Sequence, residues 1–306
     1  MTSGVLRTPG ERFDDLPGFP FAPHYHDGAS GLRMHYLDEG PRDAPVALCL
    51  HGQPTWCYLY RKMIPAFVAA GYRVVAPDFF GFGRSDKPED EATYTFTFHR
   101  DAITALIVAL DLKRITLVCQ DWGGLIGLTV PMDMPERFEK LLVMNTTLGT
   151  GDAPLGEGFL QWRAFSNRSP DMDVAALMKR AVPTLTDAEA AAYAAPFPDA
   201  RFKAGVRRFP NLVPDHPDAD GAALSRRAKK FWRDAWGGKS FMAIGMADPV
   251  LGGPVMHALR NDIRGCPHPL RSPTPVISRR KPAPLSSRRR SRFSRPDAAS
   301  RCQPAC

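Results

Sequence analysis

The chain has 306 residues, 44% of them hydrophobic, which is enough to bury one large core. Its formal charge of +8 would suggest nucleic acid or an anionic membrane as a partner. However, residues 271–306 carry nine arginines and one lysine against a single aspartate, which leaves residues 1–270 at about −1. We therefore expect neither a nucleic-acid nor a membrane partner for the main part of the chain.

Two further features of the sequence narrow the class of protein. The first 21 residues are charged rather than apolar, and no later stretch approaches the ~20 apolar residues of a membrane span. The six cysteines show no metal-ligand or redox spacing. These features predict a cytoplasmic protein with free thiols and no bound metal.

Short apolar runs rich in β-branched residues predict the first buried strands, each followed by glycine or aspartate at a turn. They lie at 46–50, 73–76 and 115–119. Apolar residues at helical spacing over 99–110 predict a helix between the last two. Strands that alternate with helices indicate a doubly wound, mostly parallel α/β sheet. A further helix is predicted over 125–132.

Two more strands are predicted at 140–145 and 241–245, and the stretch between them has a different character. Residues 152–233 show helical apolar spacing and no clear strand, which is typical of a helical insertion over the ligand-binding edge of a sheet. The predicted organisation is a core at 1–151 and 234–270, a helical cap at 152–233, and a tail at 271–306. Arginine, serine and proline dominate the tail.

Three loops that follow predicted strands carry the residues of a catalytic site. Residues 118–124 have the form of a nucleophile elbow, with Asp121 in place of the usual serine and Cys119 in place of the first glycine. Residues 51–56, His-Gly-Gln-Pro-Thr-Trp, stand where this kind of fold supplies an oxyanion-hole N–H. Residues 77–86 form the third loop. Asp121 alone could be a helix N-cap, but its place in the elbow favours a nucleophile.

On these motifs the chain resembles the haloalkane dehalogenases of the α/β-hydrolase fold, over about residues 5–268. Residues 159–162, Phe-Leu-Gln-Trp, and 245–252, which contain Asp248, are also similar to that family. The resemblance implies a helical cap inserted after the sixth strand and hydrolysis of a haloalkane to a primary alcohol and halide. It implies water as co-substrate and no cofactor, and we expect a monomer.

The resemblance also implies a role for each site residue. Asp121 is the nucleophile, because a carboxylate that displaces halide leaves an ester that water can hydrolyse. Trp122 and Trp162 hold the halide, and the backbone N–H groups of Gln53 and Trp122 form the oxyanion hole. Asp248 is the acid that orients a histidine base. The residues expected to line the substrate pocket are Trp56, Phe159 and Phe165.

The base itself is missing from the expected place. The family has a histidine in a segment of the type Glu-Val-Ala-Asp-Ala-Gly-His-Phe after the last strand, whereas residues 271–278 read Arg-Ser-Pro-Thr-Pro-Val-Ile-Ser. A one-base shift in a GC-rich coding sequence for the first peptide gives the second. Our interpretation is a frameshift shortly before Arg271, with Ile277 where the histidine is expected and an out-of-frame, disordered tail behind it.

Several alternatives stay open at this point. An epoxide hydrolase of the same fold would use cap tyrosines, and the cap offers only Tyr193. A serine esterase is disfavoured because no serine occupies the elbow. Without its base the protein could stop after one turnover, unless His257 or His268 replaces the base. The arginine-rich stretch 286–295 could instead be a nucleic-acid-binding tail.

Overall fold

The computed structural model describes residues 4–28 and 31–273. At its centre lies a sheet of eight strands, which we number in chain order: β1 (His24–Asp27), β2 (Arg33–Glu39), β3 (Val46–Leu50), β4 (Arg73–Pro77), β5 (Ile115–Gln120), β6 (Phe138–Met144), β7 (Lys239–Gly245) and β8 (Leu270–Ser272). Their spatial order is β1-β2-β4-β3-β5-β6-β7-β8. The pairs β1–β2 and β2–β4 are antiparallel and the others are parallel. The predicted mostly parallel α/β sheet is confirmed.

The central strands show why the sequence folds in this way. Every residue of β3 and β4 is buried, as are the first five residues of β5. Strands covered on both faces lose the polar alternation of a half-exposed strand and become continuous apolar runs. This property made the predicted bounds of these three strands agree with the structure to within one residue. A separate two-residue ladder pairs Val5–Leu6 with Lys87–Pro88.

Nine α-helices accompany the sheet within the described ranges: α1 (Ile64–Ala69), α2 (Phe96–Ala109), α3 (Trp122–Gly127), α4 (Glu157–Arg168), α5 (Val174–Ala181), α6 (Asp187–Ala194), α7 (Ala204–Arg208), α8 (Ala222–Asp234) and α9 (Gly253–Asn261). Short 3-10 turns are present as well, among them Cys57–Tyr60 and Phe209–Asn211. The helix predicted over 125–132 is corrected to α3, which begins earlier and ends sooner. Pro131 prevents the helix from continuing to residue 132, because a proline disfavours helical backbone in the residue before it.

The helices divide between the two faces of the sheet. Arg100 of α2 donates to the backbone of Thr129, just after α3. The Trp232 indole of α8 donates to the Leu128 carbonyl, and Arg264, after α9, donates to the Trp232 carbonyl. Helices α2, α3, α8 and α9 are therefore joined on one face. Right-handed crossovers place α1 on the other face, because β3 and β4 follow one another in the opposite direction to β5, β6 and β7.

The chain between β6 and β7 contains α4 to α8. The last of these, α8, is joined to α3 on one face of the sheet, so a cap with the bounds 152–233 stays a prediction. Two of these helices begin at strong caps: Asp173 caps α5, and Thr186 and Glu189 form a capping box at α6. Cys49, Cys57, Cys119 and Cys266 are buried free thiols. Within 4–28 and 31–273, no helix has the length and apolar character needed to cross a membrane.

Candidate active site

Asp121 stands at the sharp turn between β5 and α3. Its backbone has φ 51° and ψ −124°, a conformation that costs a residue with a side chain about 1–3 kcal/mol. The neighbouring strand end holds the turn in place. The Asp121 N–H donates to the Asn145 carbonyl at 2.9 Å, and the Thr146 hydroxyl donates to the Asp121 carbonyl at 2.6 Å. Strain of this kind persists only where the surrounding structure fixes it, as it does here.

Two glycines make the tight approach around this turn possible. A Cβ atom on Gly52 would lie 2.4 Å from Oδ2 of Asp121, and one on Gly123 would lie 2.0 Å from the Leu50 carbonyl oxygen. Both distances are far shorter than a van der Waals contact. The loop after β3 can therefore approach the Asp121 carboxylate only because these positions lack a side chain.

The Asp121 carboxylate is buried and is held by backbone donors. The Gln53 backbone N–H donates to Oδ2 at 2.8 Å. Desolvation by the surrounding protein raises the pKa of the Asp121 carboxyl to about 7, and the nearby Asp248 carboxylate adds to the rise. Backbone N–H groups of Gln53 and Trp122 oppose it. Two donors thus meet at the carboxylate that would become the ester carbonyl, which is the arrangement of an oxyanion hole.

Trp122 lies beside the nucleophile and is almost fully buried. Its ring packs against Phe209, with centroids 4.6 Å apart, and more loosely against Phe96. Phe209 belongs to the inserted segment, so the insertion reaches the elbow. The sequence did not single out Phe209, because nothing in its local pattern separates it from the other aromatic residues of that segment.

Asp248 follows β7 in a loop that Asn145 joins to the elbow. The Asp248 Oδ1 accepts from the N–H groups of Val250 and Leu251, at 2.9 and 2.8 Å. Its Oδ2 accepts from the Asn145 side-chain amide at 3.1 Å, and the same amide group exchanges two hydrogen bonds with the Gly245 backbone. Asn145 therefore connects Asp121 and Asp248, and sequence reasoning missed it.

The three aromatic residues predicted on the cap lie on α4, and all are half-buried: Phe159, Trp162 and Phe165. Gly158, one turn before Trp162, is so close to the Asp248 loop that a Cβ atom would meet the Pro249 carbonyl at 2.6 Å. At the other end of α4, Asn167 hydrogen-bonds with Asn211, next to Phe209. Helix α4 therefore runs from the acid loop towards the segment that packs on Trp122.

Trp56 and the Gln53 side chain make structural contacts to neighbouring helices within the described residues. Trp56 has no exposed surface, donates its indole N–H to the Ala192 carbonyl at 3.1 Å and packs against the ring of Phe19. We therefore correct its assignment to the pocket lining: it packs the core against α6. The Gln53 side-chain amide donates to the Val206 carbonyl at 3.1 Å, which ties the oxyanion loop to α7.

The position of the missing base, Ile277, lies outside the described residues. The preceding strand is in register, with Ser272 paired to Gly245 and its carbonyl accepting from Met246. The two candidate replacements lie elsewhere: His257 is on α9 and contacts Arg271, while His268 is exposed before β8. Neither is placed at the carboxyl end of β8.

Within 4–28 and 31–273, metal-ligating side chains come together at one place, where His35, Cys57 and Asp78 meet. The Asp78 carboxylate already accepts from the N–H groups of Cys57 and Arg84 and contacts the His35 ring at 2.7 Å. Burial raises the pKa of the Cys57 thiol, whereas a metal binds the thiolate. This cluster fits a loop-stabilising network better than a metal site.

The sheet order, the insertion after β6 and the aspartate at the elbow define a protein of the α/β-hydrolase fold. The sequence profile of the alpha/beta hydrolase fold family matches residues 45–271. The haloalkane dehalogenase of Psychrobacter cryohalolentis is 49% identical over 254 residues, covering 81% of this chain and 84% of that protein. The haloalkane dehalogenase of Mycobacterium marinum is 48% identical over 259 residues, covering 81% and 85%.

Solved structures agree with these sequence relatives. The haloalkane dehalogenase DpaA of Paraglaciecola agarilytica, described as tetrameric, has a TM-score of 0.86 and 52% identity, covering 88% of this chain and 92% of its own. A Bradyrhizobium elkanii haloalkane dehalogenase variant, with a TM-score of 0.69 and 23% identity, shares the fold. The chain belongs to the haloalkane dehalogenases, hydrolases that act on carbon–halogen bonds.

Proposed function

We propose that the chain carries out hydrolytic dehalogenation of haloalkanes with Asp121 as the nucleophile. Gln53 holds Oδ2 of Asp121, so Oδ1 is the oxygen that attacks the carbon bearing the halogen. The new C–O bond forms as the C–X bond breaks, and the halide leaves with the bonding electron pair. The product is an alkyl ester on Asp121 and free halide.

The departing halide requires donors in an apolar setting. Trp122 packs against Phe96 and Phe209, which exclude water, and it directly follows the nucleophile in the sequence, so its indole N–H is the first halide donor. The course of α4, from Pro249 at Gly158 to Asn211 at Asn167, supports Trp162 as the second donor. Phe159 and Phe165, on the same helix, contribute to the substrate pocket.

Release of the alcohol requires a second step. Water attacks the carbonyl carbon of the ester, and negative charge develops on Oδ2, where the Gln53 and Trp122 N–H groups stabilise it. A base must take the proton of the water, and Asp248 is placed to orient a histidine from the segment after β8. Because Ile277 replaces that histidine, the printed chain should form the ester and stop.

The frameshift is part of the same proposal. The family profile ends at residue 271, where the sequence starts to depart from the family pattern. Resequencing the gene across codons 262–280 tests the frameshift directly. A read that restores the Glu-Val-Ala-Asp-Ala-Gly-His-Phe segment supports a sequencing error. A read that confirms the printed frame means that the gene itself carries the frameshift mutation.

The observation that carries the proposed chemistry is the contact between the Gln53 N–H and Asp121. We would incubate the full chain with 1-bromobutane and measure bromide release together with intact mass. One bromide per chain and a butyl adduct on Asp121 are expected, and Asp121→Asn should give neither. Continued bromide release by the printed chain would contradict the stalled ester, and an adduct on the Asn variant would contradict the nucleophile.

The epoxide hydrolase alternative is not favoured by the structure of Tyr193. This residue has no exposed surface, and its hydroxyl accepts from Arg61 at 3.1 Å in an ion-pair network with Glu189. It is therefore not available to activate an epoxide oxygen.

The oligomeric state is a separate prediction. The sequence led us to expect a monomer, whereas the Paraglaciecola relative is described as a tetramer. Light scattering on the purified chain decides between the two states.

A further inference from the structure

Ser166 is an unusual residue for the place that it occupies on helix α4. Of the residues of α4, all of which the structure describes, only Ser166 is buried. Phe159 and Trp162 are half-buried, and Leu160 is 38% exposed. A helix normally buries its large apolar side chains first, because removing apolar surface from water stabilises the fold. A serine at the most buried position of a helix rich in aromatic residues therefore requires a separate explanation.

The helical phase places Ser166 on the inner face of α4. The outer face is defined by six exposed residues: Glu157, Leu160, Gln161, Ala164, Asn167 and Arg168. On the opposite side, Phe159, Trp162 and Ser166 follow one another at i, i+3 and i+7, which is the spacing of a single helical face. Ser166 thus shares its face with Trp162, the proposed second halide donor, and with Phe159 of the proposed substrate pocket.

The Ser166 hydroxyl is shielded from water and has no hydrogen-bond partner within residues 4–28 and 31–273. A serine inside a helix can donate to the carbonyl four residues before it, which would be that of Trp162. The structure shows no such bond. A buried hydroxyl that makes no hydrogen bond destabilises the folded chain. Its donor is therefore free to bind a group that the described residues do not supply.

The position of this donor follows from the course of α4. Trp162 and Ser166 are one helical turn apart, which is about 6 Å along the axis. Helix α4 contacts the turn Phe209–Asn211, and Phe209 of that turn packs on Trp122. The Ser166 hydroxyl is therefore expected about one helical turn from the halide that Trp122 and Trp162 would hold.

We infer that Ser166 is a specificity-determining residue, whose hydroxyl donates a hydrogen bond to an ether or hydroxyl oxygen that a short carbon chain separates from the halogen. This inference rests on the proposed function and narrows its substrate class to oxygen-bearing haloalkanes. Phe159, on the same face, would contact the carbon chain. A site built to donate to a substrate oxygen disfavours an analogue with a methylene group in its place, because the donor then stays unpaired.

The test compares two substrates of equal length, 1-bromo-3-methoxypropane and 1-bromopentane, in which an ether oxygen replaces a methylene group. The measurement is the ratio of their single-turnover rates of bromide release. Ser166→Ala should lower the ether-to-alkane ratio by about three- to tenfold, which is the contribution of one neutral hydrogen bond. The rate with 1-bromopentane should not fall, because the variant removes an unpaired hydroxyl from its surroundings. A purely structural role would lower both rates together.

Ser225→Ala is the matched control. The Ser225 hydroxyl is also buried without a partner in the described part of the chain, but it lies on α8, which is joined to α3. This substitution should leave the ether-to-alkane ratio unchanged. Ser166→Cys keeps a side chain of similar shape with a weaker donor and should give an intermediate ratio. A ratio that Ser166→Ala does not change, or changes no more than Ser225→Ala does, would overturn the inference.

A binding measurement separates failure of this inference from failure of the proposed function. In an Asp121→Asn background, quenching of tryptophan fluorescence reports the binding of either bromide compound without ester formation. Adding Ser166→Ala should weaken binding of the ether relative to the alkane by about three- to tenfold. A chain that shows this shift but whose parent releases no bromide contradicts the nucleophile alone. A parent that releases bromide, with no shift on Ser166→Ala, contradicts the role of Ser166 alone.

Discussion

The two halves of the catalytic edge differ in how much of their machinery the printed chain contains. At the end of β5, Asp121 is fixed by hydrogen bonds from three directions, and Gln53 and Trp122 surround its carboxylate. At the ends of β7 and β8, Asp248 is equally well held, but the group that it should orient lies beyond Ser272. In the proposed mechanism, the residues that form the ester are all encoded before codon 271, whereas ester hydrolysis requires a histidine encoded after that codon.

Restoring the frame should remove this difference and give the largest effect. If the proposed frameshift is correct, adding one base before codon 271 should return a histidine to position 277, and a positioned general base contributes about 10²–10⁴-fold to such a step. We expect steady bromide release at a rate at least about 10²-fold above that of the printed chain. A frame-restored chain with Asp121→Asn is the control. Steady release that stays at the printed level would contradict the assignment of the base to this segment.

Trp122→Phe should lower the rate of ester formation at Asp121 without disturbing the packing around the elbow. Phenylalanine keeps an aromatic ring against Phe209 but lacks the indole N–H, and the loss of one donor to a developing anion costs about 10²-fold in rate. The measurement is the single-turnover rate of bromide release. Trp236→Phe is the matched control, because Trp236 is also buried and its indole N–H donates to Ser240, far from the elbow. Equal losses in both variants would show a general packing effect.

The pH dependence of ester formation should report the state of Asp121. Burial raises the pKa of this carboxyl to about 7. The ionised fraction therefore rises from about one tenth at pH 6 to about nine tenths at pH 8, and the single-turnover rate should rise by about tenfold over this range. Only the carboxylate is a nucleophile, so the rate increases with pH.

Measured on Asp248→Asn, the same pH profile tests whether the Asp248 carboxylate raises the pKa of Asp121. Desolvation remains the main cause of the raised Asp121 pKa, but the repulsion from Asp248 is removed, so the midpoint of the pH profile should move to lower pH. Asp234→Asn, an exposed carboxylate of α8 that pairs with Lys230, should leave the midpoint unchanged. A profile that does not move in Asp248→Asn would show that the two carboxylates do not interact.

The sequence predicted what depends on local pattern. The buried strands β3 to β5 could be located because they are continuous apolar runs, and Asp121 and Gln53 could be placed together because the carboxyl ends of parallel strands meet at one edge. The links between distant segments could not be found, because Asn145 and Gly245, or Trp122 and Phe209, share no motif or period. Trp56 was misplaced for the same reason, since its partner Ala192 lies in the insertion.

Asn145→Ala tests whether the Asp121 elbow and the Asp248 loop are structurally coupled, and it should have the smallest effect on the rate of ester formation. The change removes two hydrogen bonds to Gly245 and one to Asp248 in a buried site, which should lower the free energy of unfolding by about 2–3 kcal/mol. Ester formation should be nearly unchanged, because Asp121 contacts the Asn145 backbone and not its side chain. Urea unfolding and single-turnover bromide release measure the two effects separately.

Asn167→Ala provides the comparison, because its amide pairs with Asn211 at an exposed position, where a substitution should cost less than about 0.5 kcal/mol. In the frame-restored chain Asn145→Ala should also slow ester hydrolysis, since Asp248 loses the donor that holds its Oδ2. The nucleophile and the acid would then respond differently to one substitution placed between them. Equal losses of ester formation and hydrolysis would mean that Asn145 supports the elbow itself and that the two halves are one structural unit.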